Sequence, residues 1–280
     1  MAPPPHPHPY LDVEGPIAFA HRGGAGVHPE NTLRAFAHAV ELGFTHVETD
    51  VHITADGVAI AFHNDVLDRV TDRRGRIADL PWSEVRRARV GHTEPICRLD
   101  ELIDAFPDTR INLDPKHDAA VEPMVRVLAA TNSVDRVCVC SFSDRRTGEA
   151  ARRIGPRLCT GAGPRSIARL VARSHGAPLS PPSVHCAQVP PRWGRLPLVT
   201  RGFVDSTHRA GIQVHVWTID DPDEMRSLLD IGVDGVMTDR PLVLREVLQQ
   251  RAEWPAPPGR RTGYGGGKDV GRRLPGGDHR

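Results

Sequence analysis

Glu48 and Asp50 stand two residues apart in the run His46-Val-Glu-Thr-Asp-Val51. On an extended chain side chains alternate, so both acids share one face while Val47, Thr49 and Val51 take the other. Two acids side by side in apolar surroundings repel each other, and an isolated ionised carboxylate is expensive to bury. A divalent cation resolves that conflict, and a donor set of oxygens alone favours Mg²⁺ or Ca²⁺ over zinc. Asp114, in Asn112-Leu-Asp-Pro-Lys116, offers a third carboxylate from a separate apolar run. The competing reading of the same acids is ion pairing with Arg22, Arg110 or Lys116.

His21 and His63 are the acid–base candidates, because imidazole titrates near neutral pH. Cleaving a phosphodiester needs one group to take a proton and another to protonate the departing oxygen. The guanidinium fork of Arg22 suits a phosphate, and Lys116 adds a point charge for the same anion. Gly23 and Gly24 let the backbone bend closely around a ligand, or simply make a turn. Glu30 and Asn31 open a helical pattern; Asn31 reads as the N-cap, and either residue is placed to orient His21 or Arg22 from behind. His28, His38, His52, His92, His117, His185, His208 and His215 lack such context and read as structural.

Those candidates need strands to position them. Short apolar runs alternate with helical patterns along the chain, which predicts βα units around a parallel sheet. The expected strands are 17–20, 46–51, 110–113, 137–141, 158–160, 184–187, 213–217 and 235–238. The expected helices are 31–42, 121–130, 144–153, 164–173, 199–210, 223–230 and 241–250. Eight strands with interleaved helices predict an α/β fold, a TIM-type (β/α)₈ barrel, whose active site lies at the C-terminal strand ends. Three of those ends carry carboxylates or imidazoles. Residues 53–107 are too long for a simple loop and read as a small inserted subdomain between strands 2 and 3, with a hairpin at 58–63 and helices near 82–88 and 99–105. The barrel domain is placed at 15–253. The Pro/His-rich segment 1–14 and the Gly/Pro/Arg-rich segment 254–280 are expected to be disordered tails.

Composition narrows the function. Basic and acidic residues number 36 and 35, a net charge of +1, which gives no broad attraction to nucleic acid or an anionic membrane and leaves phosphate binding to a local site. Only 5% of residues are aromatic, too few for a base-stacking surface. Cys97, Cys138, Cys140, Cys159 and Cys186 contain no CxxC pair; the Cys-Val-Cys run has the period of a strand, so buried reduced thiols are expected. No signal-peptide pattern and no run of 18 apolar residues is found, and a cytoplasmic enzyme acting on a small molecule, with no integral membrane segment, is the expectation.

Together these segments resemble the glycerophosphodiester phosphodiesterases. HRGGAGVHPENTLRAF, GFTHVETDVHITADG, IAFHND with LDRVTD, INLDPK, CSF, VHVWTID and GVDGVMTDRP follow that family's pattern from about Ile17 to Gln250. The resemblance implies a TIM-type barrel with an inserted subdomain, a bound divalent metal, and hydrolysis of glycerophosphodiesters to glycerol 3-phosphate and an alcohol. It implies His21 and His63 as the catalytic pair, Glu48, Asp50 and Asp114 as metal ligands, Arg22 and Lys116 as phosphate holders, and Trp217 as lining of the glycerol pocket. It also implies attack of the neighbouring glycerol hydroxyl on phosphorus, followed by opening of the cyclic phosphate by water. This chain departs at Asn64, where the family has Asp after the histidine, at Asp114, where many relatives have Glu, and at Ile96-Cys97-Arg98-Leu99, where Pro-Thr-Leu is expected. Two other readings keep the fold: a barrel that binds phosphorylated ligands without turnover, and a lysophospholipase D-type or sphingolipid-cleaving enzyme.

Overall fold

The structure, a computed structural model, describes residues 8–254. Eight parallel strands form a nearly closed barrel: β1 (Ile17–His21), β2 (His46–Ile53), β3 (Arg110–Pro115), β4 (Val137–Val139), β5 (Cys159–Thr160), β6 (Cys186–Val189), β7 (Gln213–Val216) and β8 (Gly235–Thr238). Their order is 5-4-3-2-1-8-7-6. The barrel closes between β5 and β6 through a single bridge, Gly161 to Cys186, and the bonds Ala162 N to Cys186 O and His185 N to Thr160 O, each 2.8 Å. That seam is the thinnest part of the sheet.

Nine helices are described: α1 (Leu33–Glu41), α2 (Trp82–Val85), α3 (Leu99–Ala105), α4 (Val121–Ala130), α5 (Asp144–Ile154), α6 (Pro164–Ser174), α7 (Arg201–His208), α8 (Pro222–Asp230) and α9 (Pro241–Gln250). α1 shows why such segments form. Ala35, Phe36 and Ala39 make one apolar stripe buried on the sheet, and full burial of a side chain such as Phe36 stabilises by about 2–3 kcal/mol. Its cap is Thr32, whose Oγ1 accepts from Ala35 N at 3.2 Å. Asn31 is therefore not the N-cap. It holds a positive φ of 57° one residue earlier, a conformation that Asn tolerates better than most residues.

Strand alternation sorts the barrel into two apolar layers. Val47, Val51, Ile111, Leu113, Val137, Val139, Val214, Val216 and Val236 pack outward into one core with the helices. Ile17, Phe19, Cys138, Cys140, Cys159, Cys186 and Met237 fill the interior. β6 begins two residues later than expected, because its register is set by β7, with Cys186 opposite Gln213 and Val189 opposite Val216. Gln188 thus lies within the strand. β5 keeps two residues only, and the Pro-rich stretch that follows α6 ends in a small antiparallel hairpin, Arg192–Trp193 with Leu196–Pro197.

The insertion has its own core of Ile60, Phe62, Leu67, Ile77, Val85, Ala88, Val90 and Ile96. It is tied to the barrel where Ala59–Ala61 pairs antiparallel with the end of β2. The next bond, Phe62 N to Asp50 O at 3.0 Å, delivers His63 back to the mouth.

Residues 1–7 and 255–280 lie outside the described residues, as do the parts of the two expected tails that fall on them. From His8 onward the N-terminal segment departs from expectation: Pro9–Leu11 is a 3₁₀ turn that plugs the bottom of the barrel with Tyr10 and Leu11 buried. Specific bonds offset the low propensity of this segment. His46 Nε2 donates to Tyr10 O at 3.0 Å, Arg110 donates to Pro9 O and Asp12 O, and the Tyr10 and His46 rings meet edge to face. Trp254 likewise belongs to the fold, packed against Phe44.

His46 gives the plug a pH dependence. Burial, its largest influence, pushes the imidazole down from 6.5 to about 3, against the opposing pull of the bond to Tyr10. Between those values the unfolded chain binds a proton that the folded chain refuses. This stability is therefore complete above about pH 6.5 and is lost as pH falls toward 3. His46→Gln is expected to flatten the fall of urea-unfolding free energy across this window by up to about 1.4 kcal/mol per pH unit; equal slopes in the two proteins would show that His46 is not the group responsible.

Candidate active site

β1 ends at His21, which sits opposite Glu48 in the register of β1 and β2, and Asp50 sits opposite Asp114 across β2 and β3. Parallel register thus sets the three acids side by side. All three are buried, at 5%, 2% and 8% exposure, deep enough that their charges meet protein rather than water. They open into a cavity of about 550 Å³ together with His21, Arg22, His63, Lys116 and Trp217. Every residue expected to be catalytic, to bind metal or to hold phosphate or glycerol therefore lines one cavity.

The cations nearby are engaged by the acids. Lys116 Nζ bridges Asp50 Oδ1 at 2.5 Å and Asp114 Oδ2 at 2.8 Å. Arg22 Nε lies 3.4 Å from Asp50 Oδ2, Arg22 NH1 donates to Glu30 Oε1 at 3.3 Å, and Arg22 N donates to Glu48 Oε2 at 3.2 Å. The ion-pair reading of these acids is thus realised for Arg22 and Lys116 but not for Arg110, which holds the N-terminal plug. Pairing is incomplete. Asp50 Oδ2, Asp114 Oδ1 and Arg22 Nε remain buried without a hydrogen-bond partner.

The charges respond accordingly. Burial and then the Asp50 charge raise Glu48 to about 7. Burial also works to raise Asp50, but Lys116 and Arg22 outweigh it and hold the carboxyl below its ordinary range. Asp114 is raised, mainly by burial. Burial lowers Lys116, yet Asp50 and Asp114 more than reverse this, so the ammonium stays charged.

The two histidines have different partners. His21 Nδ1–H donates to Asp239 Oδ1 at 2.7 Å, which turns Nε2 toward Glu48, 3.8 Å away, and the cavity. Burial lowers its pKa, but Glu48 and Asp239 overcome that and the net shift is upward. His63 Nδ1–H donates to Asn64 Oδ1 at 3.3 Å, and Arg69 Nε donates to the same oxygen at 2.5 Å. An amide brings no charge to oppose desolvation, and burial leaves His63 below its ordinary value. Glu30 contacts both Arg22 and Arg69. Asn31 N donates to Arg22 O at 2.9 Å, and Thr49 Oγ1 donates to Asn31 Oδ1 at 2.7 Å. Both thus lie behind the site and touch Arg22 rather than His21.

Asp239 was missed by sequence reasoning, although it directly follows the expected eighth strand in Met237-Thr-Asp-Arg-Pro241. Asn112 and Gln188, joined by two bonds of 3.1 and 3.0 Å across the barrel floor, were also passed over as partners. Phe142, edge to face with Trp217, and Trp193 complete an apolar rim. Gly23 and Gly24 serve the turn rather than a ligand. Both have positive φ, and a Cβ would come within 2.8 Å of Ala35 or 2.7 Å of Pro241.

A (β/α)₈ barrel presenting clustered acids, paired imidazoles and two cations in one cavity is the frame of a phosphoric diester hydrolase. Residues 21–243 match the Glycerophosphoryl diester phosphodiesterase family, and the chain belongs to it. It is 42% identical over 251 residues to "Probable glycerophosphodiester phosphodiesterase 2" of Mycobacterium tuberculosis (strain ATCC 25618 / H37Rv), covering 88% of this chain and 95% of the relative. The crystal structure of the glycerophosphoryl diester phosphodiesterase domain of another Mycobacterium tuberculosis protein shares the fold at a TM-score of 0.74 and 23% identity, over 85% of this chain and 100% of that one. A phosphodiesterase of Oleispira antarctica, solved in complex with the product sn-glycerol-3-phosphate, superposes with a TM-score of 0.71 at 25% identity, over 84% and 97% of the two chains.

Because Gly24 packs on Pro241 in a left-handed conformation, Gly24→Ala is expected to destabilise the fold by about 2 kcal/mol or more. Urea denaturation measures it, and an unchanged midpoint would show that the loop after β1 accommodates a side chain.

Proposed function

We propose that the protein hydrolyses glycerophosphodiesters to glycerol 3-phosphate and an alcohol with a divalent cation held by Glu48, Asp50 and Asp114. The observation that carries this reading is the pair of orphaned buried oxygens, Asp50 Oδ2 and Asp114 Oδ1, beside a third acid that burial drives toward neutrality. Buried carboxylate oxygens left without a hydrogen-bond partner fit a hard cation, and an all-carboxylate donor set fits Mg²⁺ or Ca²⁺. Bound there, the ion supplies charge neutralisation at the phosphoryl oxygens.

The chain's own groups do the rest. Arg22 and Lys116 face the phosphate with positive charge. Trp217 offers a flat apolar wall to the glycerol carbons. His63, neutral and with Nδ1–H held by Asn64, keeps the Nε2 lone pair free to accept the proton of the attacking hydroxyl. His21, whose imidazolium is favoured by Glu48 and Asp239, delivers a proton from Nε2 to the departing oxygen. Two imidazoles whose surroundings drive their pKa values apart divide the acid and base roles in this way. Glu30 and Asn31 support Arg22 from behind.

A second reading keeps the departing head group and adds an acyl chain to the glycerol. Phe142, Trp193 and Leu196 are 65%, 67% and 73% exposed, and Phe142 and Trp193 line the cavity while Leu196 shares the Trp193 hairpin. An exposed apolar rim suits the acyl chain of a lysolipid as well as a small head group.

Purified protein incubated with glycerophosphocholine, glycerophosphoethanolamine or lysophosphatidylcholine, with Mg²⁺, Ca²⁺ or EDTA, decides between them. Glycerol 3-phosphate release from the first two that EDTA abolishes is the expected outcome; turnover confined to the lysolipid establishes the second reading, and no turnover of any of the three defeats both. His21→Ala and His63→Ala are expected to lower kcat by about 10² or more.

The pH profile tests the division of roles. Activity needs His63 neutral and His21 protonated, so the acidic limb of kcat/KM reports the base and the alkaline limb the acid. Asn64→Asp places a carboxylate on His63, raises its pKa and moves the acidic limb to higher pH. Asp239→Asn lowers the His21 pKa and moves the alkaline limb to lower pH. Shifts of the opposite limbs would reverse the assignment.

A further inference from the structure

Beneath the floor of the catalytic cavity, four thiols meet inside the barrel. Cys138 and Cys140 lie two residues apart on the inner face at β4, Cys159 is the register partner of Cys138 on β5, and Cys186 opens β6. All are buried and free. Cys138 Sγ is 3.6 Å from Cys140 Sγ and 3.8 Å from Cys186 Sγ, and among the described residues Cys138, Cys140 and Cys186 are the group of soft donors close enough to share one ion.

We propose that Cys138, Cys140 and Cys186 form a three-thiolate site for a thiophilic d¹⁰ cation of the Zn²⁺ type, stapling the barrel from β4 to β6 across its thin seam. Zinc binds thiolates at about 2.3 Å, and tetrahedral angles at that radius set sulfurs about 3.8 Å apart, which the two spacings from Cys138 match. All-sulfur donors select Zn²⁺ or Cu⁺ over Mg²⁺ or Ca²⁺, so this site and the carboxylate site above it sort cations by chemistry.

A second observation points to the same place independently. The Tyr10 hydroxyl is wholly buried without a hydrogen-bond partner, packed among these four sulfurs. An unpaired buried hydroxyl is costly beside neutral thiols, but it is a ready donor to a metal-bound thiolate, whose surplus negative charge needs one. Gly161 keeps the space: a Cβ there would fall 2.1 Å from Cys140 Sγ. Cys140 also lines the catalytic cavity, which gives an ion a route from the mouth.

The location explains the use. β5 has two residues and the seam one bridge, so strands β4 to β6 are held together by fewer backbone bonds than the rest of the barrel. A cation joining β4 to β6 supplies what the sheet lacks there. Binding exchanges thiol protons for metal bonds, one proton released per sulfur ligated, and requires no oxidant.

The full-length protein, stripped of metal and kept reduced under anaerobic conditions, is titrated with Co²⁺ and then Zn²⁺. The expected result is a near-ultraviolet sulfur-to-cobalt charge-transfer band that saturates at about one equivalent and is abolished by Zn²⁺ displacement. Oxygen ligands give no such band, so cobalt in the carboxylate site does not mimic it. Cys186→Ser is expected to remove the band and Cys97→Ser, outside the cluster, to retain it. Should Cys186→Ser fail to fold, Tyr10→Phe keeps the ring and is expected to weaken zinc retention against a chelator by about tenfold. Zinc is also expected to raise Tm of the reduced wild type by about 3–8 °C. Folded, reduced wild type that shows no charge-transfer band with excess Co²⁺ overturns the proposal and leaves a packed cluster of thiols.

Discussion

Three carboxylates share a buried mouth with too few donors to satisfy them, and much of this architecture is arranged around that fact. Like charges about 4 Å apart repel by about 4 kcal/mol at an effective dielectric of 20, and burial adds to the penalty. The register of β1, β2 and β3 nevertheless places Glu48, Asp50 and Asp114 together. Lys116 and Arg22 relieve the repulsion in part and leave two oxygens orphaned. A fold selected for stability alone would place apolar residues at these positions. Keeping the acids means keeping a site for positive charge, and a phosphodiester brings chemistry for which such a site is suited.

The same economy governs the imidazoles. Both sit at half-buried edges of the cavity, where desolvation alone would keep them neutral. Glu48, and with it the carboxylate of Asp239 at the end of β8, reverses this for His21, while His63, bonded to an amide from the insertion, stays below its ordinary value. Asn64, where the sequence resemblance leads to an expectation of Asp, therefore differs from an acid in charge rather than in contact, since the amide oxygen still receives the Nδ1 proton and is itself held by Arg69.

The acids and histidines were legible because their chemistry is written within single strands: Glu48 and Asp50 by alternation, Asp114 and His21 by a strand end, His63 by the hairpin that follows β2. What the sequence hid are relations between distant segments. Asp239 reads as a turn acid until β8 pairs with β1 and sets it against His21. Asn31 reads as a cap because Asn commonly caps; Thr32 takes that position, and Asn31 turns its side chain to Thr49 instead. Tyr10 lies in a Pro- and His-rich stretch that composition assigns to disorder, and only the bonds from His46 and Arg110 give it a place. The cysteines are the extreme case. No spacing among them suggests a cluster, since barrel closure alone brings residues 48 apart, Cys138 and Cys186, into contact.

The barrel divides along its axis into ends of unlike chemistry. Hard oxygen donors and cations occupy the mouth, amides bridge the middle through Asn112 and Gln188, and soft sulfur with aromatic rings extends from the cavity wall at Cys140 toward the bottom. This gradient follows from strand alternation, because each inward position of a strand contributes to a different layer. The charged residues of the cavity come from β1, β2 and β3 and the loop after β1, where the sheet is best bonded. The apolar wall of the cavity, Phe142, Trp193 and Trp217, comes from loops and strand ends on the side of the thin seam. Backbone bonding is thus densest beside the acids, while the apolar wall is carried by the segments beyond β4, β6 and β7.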